Sequence, residues 1–229
     1  MLVKQIVCLA NSRKPYGRCV AGIELIDGKP AGWIRPIGAR ENEGVSEHER
    51  QYEDGSDPRV LDIVDVPMIK ALPNAYQQEN WLLDANEYWV KRGRVDLEYL
   101  RQLVDAPSAL WVNGQKTYNG INDKMPIETA ATFDHSLRLI CVPKLELCVF
   151  APGEAFGNSK RRVQARFAHH GAKYWLWVTD PVYERGYLTL DDGNYTLGES
   201  ILTVSVSEPL EGVCFKLVAT IFEFDEGLN

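Results

Sequence analysis

Gln5-Ile6-Val7-Cys8-Leu9-Ala10-Asn11-Ser12, Arg18-Cys19-Val20-Ala21-Gly22-Ile23-Glu24-Leu25-Ile26 and Gly32-Trp33-Ile34-Arg35-Pro36-Ile37 decide the fold class. Their apolar residues recur with a period near two, which is the signature of strands rather than helices. Gly17 and the Asp27-Gly28 pair fall between them, and Asp-Gly is a strong short hairpin signal. Residues 61–70 resume strand character, interrupted by Pro67, which favours an edge or a bulge.

The rest of the chain extends this pattern. Residues 39–60 hold seven acidic residues against Arg40, Arg50 and Arg59 and read as an exposed loop. Residues 96–105 form the one convincing helix, with Asp96 as N-cap, an apolar stripe of Leu97, Leu100, Leu103 and Val104, and Pro107 as its stop. Residues 113–136 are rich in Asn, Gly, Asp and Thr and read as a connection. A second β block follows: 137–150, bent or broken at Pro143; 161–169 and 173–179 around His170-Gly171; 200–206 and 213–224 around residues 209–212. The expected fold is mainly β: two tandem small OB-like β-barrels with one short α-helix, the first unit spanning 1–112 and the second 137–229. Each block suits a small barrel of about five strands. A single mixed β sandwich is the alternative.

Composition bounds the function. The chain has 229 residues, 45% hydrophobic and 25% charged, with a formal net charge of −7. This is globular rather than disordered, and it argues against a globally basic nucleic-acid coat or an anionic-membrane binder. No apolar run approaches the roughly 20 residues that span a bilayer. The N-terminus lacks the pattern of a secretory signal. The five cysteines, at 8, 19, 141, 148 and 214, form no CxxC pair. They read as free buried thiols of a cytoplasmic protein, without the paired spacing of a zinc site. No cofactor or metal is implied.

The run Ala10-Asn11-Ser12-Arg13-Lys14-Pro15-Tyr16-Gly17-Arg18-Cys19-Val20-Ala21-Gly22, then Gly32-Trp33-Ile34-Arg35-Pro36-Ile37 and Gln77-Gln78-Glu79-Asn80-Trp81, resembles the bacterial dual-OB-containing domain family. The motif-bearing resemblance covers roughly residues 5–95. It implies two tandem OB folds and a nucleic-acid or nucleotide-binding role, and it carries over no catalytic residues. Because OB folds also hold oligosaccharides and proteins, the fold alone does not give function.

Three constellations suit a binding role. Residues 1–40 carry seven basic and two acidic residues, and Arg13, Lys14 and Arg18 flank the first turn. Trp33 and Arg35, two apart on one strand, share a face suited to stacking a base and pairing a phosphate. In the second block Arg162, Gln164 and Arg166 share one strand face, and Trp175 and Trp177 share a face of the next strand. Charge beside π-faces is what a single-stranded nucleic-acid platform needs. The competing reading places both tryptophans in the core. Gln78 and Asn80, pointing together from a strand, are the third group; their competing reading is a polar loop.

The expected function is a non-catalytic binding module for single-stranded nucleic acid or a nucleotide. The alternative is a protein-interaction or structural module, with a nucleic-acid-processing enzyme third. His169-His170 is the only histidine pair and reads as part of a hairpin turn. Ser12 and Lys14 lack the spacing of a serine–lysine pair, and no phosphate-loop or dinucleotide motif is present.

Overall fold

The structure is a computed structural model that describes residues 2–14, 17–40 and 44–224. The chain divides into two compact units: Met1–Leu103 with Asp134–Ser136, and Val104–Phe133 with Leu137–Asn229.

Unit 1 contains β1 (Leu2–Lys14), β2 (Gly17–Ile26), β3 (Lys29–Ile37), β4 (Asp62–Ala71), β5 (Asn80–Leu83) and β6 (Val90–Arg94). The four-residue helices α1 (Glu47–Arg50) and α2 (Leu97–Leu100) accompany them. Pairing runs β1–β2–β3–β5–β4 and returns from β4 to β1, with β6 added outside β4. Among these six strands, only β3 and β5 pair in parallel. A five-strand ring closed in this way is the OB architecture. Closure requires β1 to serve two partners. Residues 2–7 pair with β4, and residues 6–14 pair with β2. The change of partner falls at a bulge between Cys8 and Ala10, where the Cys8 carbonyl accepts from the Leu61 N–H at 2.8 Å. Gly22 faces this corner: a Cβ there would stand 2.2 Å from the Val7 carbonyl oxygen, so no side chain fits. Ile6, Cys8, Val20, Ile34, Val64, Val66, Met68 and Trp89 fill the core.

Unit 2 contains β7 (Lys124–Pro126), β8 (Leu137–Val142), β9 (Leu145–Phe150), β10 (Arg162–His169), β11 (Ala172–Val178), β12 (Gly193–Leu197), β13 (Ser200–Val206) and β14 (Val213–Glu223). Its helices are α3 (Ile127–Ala130) and α4 (Pro181–Tyr187). Its main path is β9–β10–β11–β14–β13–β8, with β12 outside β9 and β7 on β14. Two residues, Pro143 and Lys144, join β8 to β9, so the path closes through one bent strand. The circuit repeats that of unit 1: β8 with β9 takes the place of β1, and β11 and β14 form the parallel pair. A bulge turns the corner in unit 1. In unit 2 a proline, which cannot donate to a ladder, breaks the strand at the same point. Val142, Leu145, Leu147, Val163, Ala165, Tyr174, Leu176, Leu202 and Val218 make its core.

Several sequence expectations change. The helix expected over 96–105 keeps its Asp96 cap but shortens to α2. Beyond it, Gln102 N–H bonds Tyr99 and Leu103 N–H bonds Leu100; these three-residue steps tighten the chain until Asp105 N–H leaves for Leu139. Asp180 caps α4, and Pro181 sits at its start, a signal the sequence carried. The stretch 113–136 is not a free connection. Its polar residues fasten it down: Asn113 accepts from the Tyr174 hydroxyl, Asn122 donates to the Lys173 carbonyl, and Asn119 donates to the Pro152 carbonyl. The first unit ends at 103 rather than 112, with Asp134–Ser136 rejoining it.

A basic and aromatic sheet face as candidate binding site

The hairpin β10–β11 turns at His170 and Gly171, both with positive φ, 46° and 80°, as its two-residue turn requires. This turn fixes a register in which Gln164 faces Trp177 and Arg166 faces Trp175. Alternation then sorts the side chains. Val163, Ala165 and Phe167 join Tyr174, Leu176 and Val178 in the core. Arg162, Gln164, Arg166, Trp175 and Trp177 take the opposite face. Both tryptophans are half-buried, whereas Tyr174 and Leu176 beside them are fully enclosed. The core reading of Trp175 and Trp177 is therefore overturned: the core places of this strand belong to its even-numbered neighbours.

The predicted cluster forms as a unit. The Arg162 guanidinium carbon lies 4.1 Å from the Trp177 ring centroid, and that of Arg166 lies 4.3 Å from the Trp175 centroid. Such cation–π stacking holds an arginine flat while leaving N–H groups at its edge. Arg166 Nε also donates to Gln164 Oε1 at 2.9 Å, and Glu146 stands 3.9 Å from its Nη1. Gln164 itself is enclosed and donates to the Asn119 carbonyl at 2.6 Å.

Two contributors lie outside the sequence prediction. Phe150 stacks on Trp177 at 5.7 Å between centroids. A cleft of about 530 Å³ against Trp175 is lined by Lys144, Lys173, Arg166 and Glu146, three cations and one anion. Phe150 and Lys144 arrive because β9 pairs with β10, placing Phe150 opposite Arg162 and Glu146 opposite Arg166. Only the Pro143 break pointed to this arrangement. Nearby, Tyr118 and Phe156 are 87% and 78% exposed and meet edge to face at 6.3 Å.

In unit 1 the predicted residues separate. Arg13 and Arg18 do come together, directly opposite across β1–β2, and Lys14 pairs with Gly17; the turn residues 15 and 16 lie outside the described residues. Trp33 is half-buried on β3 opposite Ile23. Arg35 does not share an exposed face with it. At 3% exposure, Arg35 donates from Nε to Asn80 Oδ1 at 2.6 Å and lies 3.8 Å from Glu79. Asn80 is fully buried and donates to Gln77, while Ser136 donates to Glu79. Gln78 and Asn80 do not point together, because Asn80 opens β5 and exposed Gln78 belongs to the preceding turn, donating to the Ala75 carbonyl. Arg35 and Asn80 are interior groups bonded to one another, although Arg35 Nη2, Gln77 Nε2 and Glu79 Oε2 beside them are buried with no hydrogen-bond partner among the described residues.

The histidines have separate roles. His169 ends β10, and its Nε2 lies 2.9 Å from the Pro107 carbonyl. A carbonyl only accepts, so this nitrogen carries the proton. Burial pushes the His169 pKa down. His170 occupies the turn. Among the described residues no group of three or more His, Cys, Asp or Glu side chains is placed to hold a metal. No helix among them is long and apolar enough to cross a membrane.

Two closed five-strand circuits, one carrying a cationic and aromatic face, define a tandem OB-fold binding module. Comparison with known families agrees: the chain belongs to the dual OB-containing domain family, which it matches over residues 4–221. No curated protein and no solved structure matches it.

Proposed function

We propose that the protein is a non-catalytic module that binds single-stranded nucleic acid on the β10–β11 face of unit 2. One observation carries this reading: Trp175 and Trp177 project from the sheet face opposite the core, each with a guanidinium over its ring. In OB barrels the face of the second and third strands, with the adjoining loops, is where oligonucleotides lie. In unit 2 those strands are β10 and β11. Trp175 and Phe150 offer π-faces to bases, while Lys144, Arg162, Arg166 and Lys173 offer charge to phosphates. Tyr118 and Phe156 extend the aromatic surface towards the β9–β10 loop. Arg13 and Arg18, opposite one another on the β1–β2 hairpin, are a separate basic pair of unit 1 with the same chemistry for a phosphate.

The local cation excess explains how a chain of net charge −7 handles a polyanion, since binding follows the potential of the face rather than the total. The test is fluorescence polarisation of labelled single-stranded DNA, single-stranded RNA and duplex, with the double variant Arg162→Glu, Arg166→Glu beside the wild type. The reading expects single strands to bind more tightly than duplex and the variant to lose at least tenfold. Equal binding by variant and wild type would contradict it. Binding of protein partners with little salt dependence, and of no oligonucleotide, would favour the interaction-module alternative.

A further inference from the structure

Unit 1 holds a cleft of about 860 Å³ that the oligonucleotide face does not use. Its walls are the 52–62 stretch and the 88–94 stretch. Tyr52 pairs with Trp89 in a single parallel bridge, and the Trp89 N–H bonds the Gln51 carbonyl at 3.3 Å. The volume is in the usual range for small-molecule sites, roughly 300–1,000 Å³.

The chemistry is bipolar. Asp62 is fully buried and lines the cleft. One of its oxygens receives both Lys91, at 2.8 Å, and Arg94, at 3.1 Å. The other receives the Tyr52 hydroxyl and the Arg59 N–H. Burial alone would raise this carboxyl's pKa; the hydrogen bonds from Lys91, Arg59 and Tyr52 outweigh it and hold it lowered. Two cations therefore share one carboxylate charge, and the Arg59 side chain adds a third positive group.

Two polar atoms here have no partner among the described residues. Trp89 is 1% exposed, and its indole Nε1 is buried and unpaired. Asp57 gives one oxygen to Arg50 at 2.8 Å, while its Oδ1 is buried and unpaired. A buried polar group left unpaired costs about 1–3 kcal/mol. Trp89 and Asp57 both line the cleft, so its wall holds one buried unpaired donor and one buried unpaired acceptor. Tyr88, 48% exposed, adds an aromatic face. A nucleobase carries a donor and an acceptor on one edge and stacks on an aromatic ring, and a phosphate suits Arg59, Lys91 and Arg94. Glu53 and Asp54 line the same cleft. With Asp57 and Asp62 they make four acids against three bases in the lining, which favours a ligand of low negative charge over a polyphosphate or a continuing strand.

We infer that this cleft binds a nucleoside monophosphate, with the base between Tyr88, Trp89 and Asp57 and the phosphate at Arg59, Lys91 and Arg94. This site is in unit 1 and stands independently of the oligonucleotide reading. The test is isothermal titration calorimetry of the full chain with AMP, GMP, CMP and UMP, with adenosine and inorganic phosphate as fragments. At least one monophosphate is expected to bind at least tenfold more tightly than either fragment. Arg59→Ala and Tyr88→Ala, both at exposed positions, should each weaken it at least fivefold with an unchanged melting midpoint. Arg166→Glu in unit 2 should leave it intact. The inference is overturned if no monophosphate binds at millimolar concentration or if inorganic phosphate binds equally well. It is also overturned if Arg59→Ala and Tyr88→Ala have no effect, or if Arg166→Glu alone abolishes binding, which would place the nucleotide on the oligonucleotide face.

Discussion

Tyr174 and Trp175 are neighbours in sequence and serve opposite faces of β11. Tyr174 is fully enclosed; its hydroxyl donates to Asn113 Oδ1 at 2.8 Å and accepts from the Leu110 N–H at 3.2 Å. Trp175 is half-buried on the other side, under the Arg166 guanidinium. Stability and binding therefore separate at adjacent positions.

Trp175→Ala removes a stacking surface without opening the core. Base–aromatic stacking is worth about 1–3 kcal/mol per base. The variant should bind a single-stranded oligonucleotide about 5- to 150-fold more weakly, and its melting midpoint should stay within a few degrees of wild type. Polarisation titration and circular dichroism melting check the two halves.

Tyr174→Phe makes the converse change. It strands the buried Leu110 N–H without its acceptor, which costs about 1–3 kcal/mol, while the exposed Asn113 side chain turns to water. Urea denaturation should show that loss, and oligonucleotide affinity of the folded protein should not change.

Asn80→Leu should destabilise unit 1 by about 2–3 kcal/mol, because it leaves the buried Arg35 Nε–H without its acceptor. Oligonucleotide binding by unit 2 should be retained. Parallel loss of affinity, with unit 2 still folded, would show that Arg35 and Asn80 contact the strand.

Lys216 gives a pH signature. It is 1% exposed, donates to the Val112 carbonyl, and is lowered by burial to about 8, with Asp123 opposing the shift. In the unfolded chain a lysine titrates near 10.4. Between these values the unfolded state holds a proton that the folded state has released, so this group's contribution to stability rises with pH from about 8 to about 10.4. Below 8 both states are protonated and the burial penalty is constant. The stability of wild type relative to Lys216→Met should thus increase by about 1–3 kcal/mol across that window. Paired denaturant melts at pH 7.5, 9 and 10.5 read it, and the comparison cancels other alkaline groups such as Cys8, whose thiol burial pushes up to about 12.

Short-range signals made much of the fold legible. Asp27-Gly28 and His170-Gly171 take positive φ at hairpin turns, as their residue types allow, and Gly212 does so at the third. Alternation placed Arg162, Arg166, Trp175 and Trp177 on common faces before any pairing was known. It did not say which face of β11 is buried, because Tyr174, Leu176 and Val178 are as apolar as the tryptophans. The parallel pairs β3–β5 and β11–β14 left no local mark, since they join strands distant in sequence. Lys144 and Phe150 depended on the corner at Pro143 and on β9 joining β10. Arg35 and Asn80 read as exposed because charged and amide groups usually are; burial came from a parallel pairing that sets one opposite the other. The 860 Å³ cleft draws on residues 52–62 and 88–94, whose acids and bases looked like solvated loop charge.

The most direct test of the central claim is the salt dependence of single-strand binding. For single strands the logarithm of affinity falls with the logarithm of salt by about 0.7 per phosphate contact. Lys144, Arg162, Arg166 and Lys173 together predict a slope of about −2 to −3, and Arg166→Ala should flatten it by about 0.7. A slope near zero, or one that Arg166→Ala leaves unchanged, would contradict the assignment of this face to the nucleic-acid backbone.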